Sequence, residues 1–487
     1  MRKIIKQLEK AATGLEPSAA DRMELTNRAV SFAENFLDKL PDMQTFEPDR
    51  GQSAPLEEAF MESACSLDGL LETLDTAVIA EGINAASGGH MGYIPGGGIF
   101  PAALGDYLAD VTNRYSGVSF ASPGSAKMEQ RLVKWMAELV GYPEGAGGDL
   151  TSGGSIANLT AIVAARETMG VRARDVENSC IYMTSDAHHC VDKSLRTAGL
   201  SDCKLRRVPM DDVFRMDIVE LEKSIRADVA SGLRPWLIIA SAGTTDTGAV
   251  DPIERLVELA KAFDMWLHVD AAYGGFFLLT DEGREVLNGL QGAQSIVLDP
   301  HKGMFLPYGS GAVLVRDVEW LARSQAYHAD YMQDATADAV EYSPADLSLE
   351  LSRPFRGMRF WLPLKLFGVA PFRAALSEKI WLARYFYDQL SALDGWELGP
   401  FPELSVVIFR YVPPSGDMDS FNQRLSENIM ADGRVFISST RVNGMFMLRL
   451  AVLHFRTHIE HVDYLLSLLQ RLAHELQATQ KVTEKRG

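Results

Sequence analysis

Cysteine is scarce: four in 487 residues, Cys65, Cys180, Cys190 and Cys203, with no CxxC spacing among them. That excludes both a disulfide framework and a zinc ribbon. Long apolar runs are missing too. No stretch approaches the roughly 20 apolar residues of a membrane span. The opening MRKIIKQLEKAA carries charge throughout and has no apolar core of a signal peptide. Basic charge is in deficit, 47 Lys and Arg against 65 Asp and Glu, for a formal net charge of −18. Such a surface repels phosphate backbones and anionic membranes, so neither nucleic acid nor a membrane is an expected partner. An anionic ligand would need a local amide-lined or positive pocket. The run His188-His189-Cys190 is not read as a metal site, because adjacent side chains on an extended segment point to opposite faces. Internal repeats and low-complexity tracts are also absent. What remains is a large protein handling a small molecule, with a cytoplasmic setting expected.

Against these absences stand short apolar runs alternating with helical patterns, at Cys180–Thr184, Leu205–Pro209, Trp236–Ala240, Trp266–Val269, Ser295–Leu298 and Ala312–Val315. Alternation of this kind predicts an α/β fold, a mostly parallel sheet covered by helices. Residues 1–88 read as amphipathic helices without a strand, entered near Leu15-Glu16-Pro17-Ser18. Residues 89–375 form the expected large domain. Residues 376–476 switch to an α+β pattern, with strands at Ser405–Tyr411, Arg434–Ser438 and Met445–Val452, and residues 477–487 are a polar tail.

Polar groups fall just beyond several of the apolar runs: Asp186 and His188 after the first, Thr244, Thr245 and Asp246 after Trp236–Ala240, Asp270 after Trp266–Val269, and Lys302 after Ser295–Leu298. Ligands of open parallel sheets sit beyond the carboxyl ends of the strands, so these groups are expected to share one crevice. A lysine that can lose its proton there suits Schiff-base chemistry, and a buried carboxylate can keep a pyridinium nitrogen protonated. An Asp–Lys pair that merely braces a loop is the plainer alternative. Gly153-Gly154-Ser155 opens an Ala-rich helix and reads as an N-cap or an anion site. No lysine follows the glycines, so it is not a P-loop. The segment Tyr93-Ile94-Pro95-Gly96-Gly97-Gly98 is irregular, its three glycines permitting close backbone approach. Gln333–Pro344, acidic and Ala-rich, reads as a surface lid carrying Tyr342.

Taken together, HVDAAYGG, DPHK at its separation, AHxxV and GTT resemble the group II pyridoxal-phosphate-dependent amino acid decarboxylases, aromatic L-amino acid decarboxylases in particular, over about residues 75–465. The resemblance implies the PLP-dependent transferase fold type I with a seven-stranded sheet. It also implies a homodimer with active sites at the interface, the N-terminal helices packing on the partner subunit. The cofactor implied is pyridoxal 5'-phosphate, with Lys302 as its Schiff-base lysine, Asp270 at its ring nitrogen, Ala272 beneath the ring and His188 stacked upon it. Gly154 and Ser155 fall on the phosphate turn, Thr245 on the threonine of GTT, and Arg449 on an arginine of the C-terminal domain. Tyr342 falls on the lid tyrosine that returns a proton to Cα, and His301 is a second proton carrier. Asp299 stands near the phosphate where many relatives have asparagine. Tyr93, Pro95, Gly96 and Ser352 are the expected substrate contacts. The implied reaction is α-decarboxylation of an L-amino acid, aromatic by overall resemblance. The alternatives are an aldehyde synthase, which also deaminates oxidatively, and a decarboxylase of a non-aromatic amino acid.

Overall fold

The computed structural model describes residues 1–60, 63–326 and 342–484, with side chains to residue 479. They fall into two compact units, one of residues 91–429 with 437–487, the other of residues 1–90 with 430–436.

The larger unit is built on strands β1 (Gly147–Thr151), β2 (Ser179–Met183), β3 (Lys204–Arg207), β4 (Arg234–Ser241), β5 (Trp266–Asp270), β6 (Ser295–Leu298) and β7 (Gly311–Val315). They form one seven-stranded sheet in the order β1-β7-β6-β5-β4-β2-β3. Pairings from β6 through β3 are parallel, while β7 runs antiparallel to both its neighbours. All six expected apolar runs become strands. The seventh, β1, went unread because Gly147-Gly148-Asp149 has no apolar run. It is fully buried all the same, and its acid Asp149 is neutralised by Arg353 Nη1 at 2.7 Å.

The helix α1 (Pro123–Val140) buries Leu132, Val133, Met136 and Val140 on one face. The next helix, α2 (Gly154–Thr168), instead presents Ala157, Ala161 and Ala164 to Val297 and Val313 of β6 and β7. Three small side chains let the helix lie close on the sheet. Its first turn therefore arrives at the carboxyl ends of the central strands. The parallel register holds Ser241 opposite Asp270 and Asp270 opposite Val297, so the polar residues that end β4, β5 and β6 share one edge.

Four antiparallel strands, β8 (Trp396–Leu398), β9 (Val406–Tyr411), β10 (Ser438–Val442) and β11 (Met445–Ala451), form a second sheet in the order β8-β9-β11-β10. The strand expected at Arg434–Ser438 starts only at Ser438. The preceding residues pair elsewhere, Phe436 bridging His90 inside the smaller unit. That unit is helical apart from the two-residue strands Phe46–Glu47 and Gly82–Ile83. Its long helix Ala19–Lys39 begins in a capping box between Ser18 and Asp21. No residue of that helix, or of Arg2–Ala12, is buried within the chain. Among the described residues no helix is long and apolar enough to cross a membrane.

Candidate active site

At the carboxyl edge of the central strands lies a cavity of about 250 Å³, lined by residues just past β1, β2, β4, β5 and β6. Each strand delivers its polar group there because the chain leaves the sheet at that point. Asp270 ends β5. Its Oδ1 accepts from the Ala272 amide at 3.1 Å and its Oδ2 from Asn158 Nδ2 at 3.0 Å. Two donors fix the plane of the carboxylate.

Lys302 lies on the helical turn Pro300–Gly303 after β6. Its Nζ is 3.1 Å from Asp299 Oδ2. Burial alone would lower the lysine pKa, but Asp299 and then Asp270 outweigh it, and the net shift is upward. Asp299 is 1% exposed and its Oδ1 has no partner among the described residues. The cost of burying that carboxylate is offset by Lys302. Because His301 Nδ1 donates to the Ser310 carbonyl at 2.5 Å, its Nε2 carries the lone pair.

His188 caps the helix α3 (His189–Thr197) and accepts the Cys190 amide on Nδ1 at 3.2 Å. In the neutral ring the proton therefore sits on Nε2. Burial, ahead of the opposing pull of Asp270, lowers its pKa and keeps the ring neutral. At the opposite end, the first-turn amides of Gly154 and Ser155 lack helical partners, as at any helix start. Gly153 adopts φ +148, a conformation that only glycine takes readily. A Cβ on Gly154 would lie 2.8 Å from Asp299 Oδ2. The turn thus has the amide lining that an acidic protein needs to hold an anion.

The cavity brings together Lys302, Asp270, Ala272, His188, His301, Gly154, Ser155, Thr245 and Asp299. The other expected contacts lie elsewhere. Tyr93 and Ser352 are exposed, and neither they nor Pro95 nor Gly96 line the cavity. Gly96 serves the site from behind, because a Cβ there would meet the His301 carbonyl oxygen at 2.0 Å. It is the close approach to the Lys302 turn that requires glycine. Tyr342 does not line this cavity either. Its hydroxyl donates to Glu319 at 2.7 Å, it packs against Leu321 and Leu347, and it lines a different cavity beside α1 and β1. Residues 333–341 of the expected lid lie outside the described residues. Arg449, on β11, donates to the carbonyls of Tyr93 at 2.8 Å and Asp246 at 3.1 Å, so it braces the loop that carries Thr245.

Sequence reasoning missed Asn158 and Cys190, both on the cavity wall. Asn158 lies four residues after Gly154, one helical turn along the same face, and that spacing could have located it. Cys190 is an inert wall, since burial pushes its thiol up to about 12.

A buried lysine, a carboxylate accepting from two donors, a flat neutral imidazole and an amide-lined turn, all at the carboxyl edge of a mostly parallel sheet, define a fold type I enzyme whose residues fit pyridoxal phosphate. Residues 51–412 match the pyridoxal-dependent decarboxylase conserved domain, and the chain belongs to that family of amino acid decarboxylases. It is 31% identical over 470 residues to an aromatic-L-amino-acid decarboxylase of Bacillus atrophaeus, covering 95% of this chain and 97% of that one. It is 29% identical over 388 residues to an L-2,4-diaminobutyrate decarboxylase of Acinetobacter baumannii, 75% of this chain and 76% of the other. The crystal structure of Oryza sativa TDC with PLP and tryptamine superposes with a TM-score of 0.90 at 25% identity, over 95% of this chain and 99% of that one.

The Asp299–Lys302 pair carries a prediction. Only the neutral amine attacks an aldehyde, and Asp299 favours the ammonium. Asp299→Asn is expected to speed capture of pyridoxal phosphate by the apoenzyme at pH 7 by about tenfold, because it removes the charge that favours the ammonium. The wild-type rate should climb with pH and approach that of the variant in alkaline solution. Stopped-flow absorbance measures both, and equal rates at pH 7 would remove Asp299 as the controlling charge.

Proposed function

We propose that this decarboxylase acts on an aromatic L-amino acid and releases the amine and CO2. The observation that carries the reading is Lys302 and Asp270 on the wall of one cavity, the amine and the carboxylate that the chemistry needs. Bound pyridoxal phosphate supplies an electron sink for the pair left behind when the carboxylate departs. The chain's own residues do the rest. Lys302 Nζ would hold the cofactor through its aldehyde. Asp270 would meet the ring nitrogen and favour its protonated form, and His188 would face the ring. Gly154, Ser155 and Thr245 would hold the phosphate end through amides and hydroxyls. Two groups on the wall can carry a proton to the reacting carbon: Lys302, whose ammonium form Asp299 and Asp270 favour, and His188 through its Nε2–H.

Two facts support an aromatic substrate. The Bacillus relative named above is an aromatic-L-amino-acid decarboxylase. In addition, Lys302 is the one lysine or arginine lining the cavity among the described residues, so this chain's own wall offers a side-chain carboxylate no further cation. A homodimer belongs to the same proposal. Ile4, Ile5, Leu8, Met23 and Leu25 of the N-terminal helices are exposed in the single chain, and a second copy would cover them. Light scattering at twice the chain mass of 53.6 kDa checks this, and a monomeric holoenzyme would refute it.

The deciding assay presents wild type and Tyr342→Phe with all twenty L-amino acids plus pyridoxal phosphate, and measures amine, CO2, ammonia and peroxide. Amine and CO2 from an aromatic substrate are expected. The variant should give the same product, because the Tyr342 hydroxyl is engaged by Glu319. Stoichiometric ammonia and peroxide from wild type would favour an aldehyde synthase. Turnover confined to non-aromatic substrates would overturn the substrate assignment.

A further inference from the structure

Behind Asp270 a line of buried polar side chains runs back through the sheet. Trp266 Nε1 lies 2.8 Å from Ser295 Oγ, Ser295 Oγ lies 2.8 Å from His268 Nδ1, and His268 Nε2 lies 2.7 Å from Asn158 Oδ1. Asn158 Nδ2 then reaches Asp270 Oδ2 at 3.0 Å and the Gly154 carbonyl at 2.9 Å. Asn158, His268 and Ser295 are all 0% exposed, and Trp266 is 2% exposed.

The chemistry of the two ends sets the direction of every bond between them. An indole N–H only donates, and an ionised carboxylate only accepts. Asn158 therefore spends both amide hydrogens, on Asp270 and on Gly154, and its Oδ1 must receive a proton donor. That donor is His268 Nε2–H. Burial lowers the His268 pKa to about 4, so the ring is neutral and carries one proton. Its Nδ1 then accepts from the Ser295 hydroxyl, whose oxygen accepts from Trp266. No bond in the line can be reversed without leaving a buried group unsatisfied.

We propose that His268 is a positioning residue for the cofactor, acting through Asn158 to hold the Asp270 carboxylate aimed at the ring nitrogen. Asn158 also ties the Asp270 end of the cradle to Gly154 at the anion-binding turn, so the line sets the span between the two ends. The inference rests on the assignment of Asp270 to the ring nitrogen.

The test compares equilibrium binding of pyridoxal phosphate with that of its 1-deaza analogue, which keeps the aldehyde and phosphate but offers Asp270 no ring nitrogen. Both are measured by absorbance on the full-length apoenzyme. His268→Asn retains a group facing Ser295 but cannot reach Asn158. It is expected to weaken pyridoxal phosphate binding by about tenfold or more, as befits a charge-assisted hydrogen bond lost, and to leave binding of the analogue unchanged. His268→Gln, whose amide can reach the Nε2 position, should restore most of the loss. Ser295→Ala frees the imidazole to adopt the other tautomer, and a smaller loss in the same direction is expected. It provides the test should His268→Asn fail to fold. Equal losses for both ligands in a folded variant would reduce His268 to core packing and overturn the proposal. Asp270→Ala separates the two levels of inference. If that variant loses no more affinity for pyridoxal phosphate than for the analogue, the Asp270 assignment itself falls.

Discussion

Lys302→Ala is expected to abolish covalent retention of the cofactor and to cut decarboxylation by at least about a thousandfold. Nζ is the only amine on the cavity wall among the described residues, and no neighbouring side chain can take its place in a Schiff base. Mass spectrometry after borohydride reduction reads the first effect directly: wild type gains the cofactor mass on the peptide containing Lys302, and the variant does not. The substitution also leaves Asp299 buried without its 3.1 Å counter-charge. Circular dichroism of the variant checks that the fold is kept and that the loss is chemical. Full activity in a folded variant would transfer the anchoring role to another residue and undo the site assignment.

The second large effect is expected at Asp270→Asn, with turnover falling by about a hundred- to a thousandfold. A buried charge pair broken on one side is worth a few kcal/mol, which converts to that range in rate. The amide cannot hold a proton on the ring nitrogen. It also disturbs the local geometry, because Oδ1 and Oδ2 both accept, from Ala272 and from Asn158. An NH2 at either position would face another donor. Steady-state kinetics with saturating cofactor isolate the turnover effect from weakened binding. A loss below about tenfold would show that the charge on Asp270 is not what the reaction needs.

The two effects differ in what they leave behind. Removing Lys302 takes away the covalent anchor and leaves the ring-nitrogen end of the cradle intact. Changing Asp270 leaves the anchor and takes away the electronic control. Cofactor retained without turnover is thus the expected signature of Asp270→Asn, and cofactor not retained that of Lys302→Ala.

Local chemistry was enough to mark the central parts of the site. Apolar runs such as Trp266–Val269 and Ser295–Leu298 declare themselves as buried strands, and the residues just past a parallel strand fall at its carboxyl edge. Asp270, His188, Thr245 and Lys302 were legible for that reason, and so was the turn at Gly154. The strand Gly147–Thr151 was not, because two glycines and an acid give no pattern, and its burial depends on β7 and Arg353. The expectations for Tyr93, Gly96, Ser352 and Tyr342 concerned residues that do not line this chain's cavity. Each rested on nearness along the chain or on alignment, whereas lining a cavity depends on which way an irregular segment turns. Gly96 turned toward the back of Lys302, and Tyr342 toward Glu319.

By itself the sequence determined the class of fold and the chemistry at the strand ends, because periodicity and strand-end position are properties of neighbouring residues, and its motifs carried the resemblance to the family. Only the tertiary structure decided the partners: Asp299 on Lys302, Asn158 on Asp270, and the line from Trp266 through Ser295 and His268. Those bonds join residues up to 112 positions apart. Their polarity depends on which buried donors and acceptors meet, and that is settled when α2 packs its alanines onto β6 and β7.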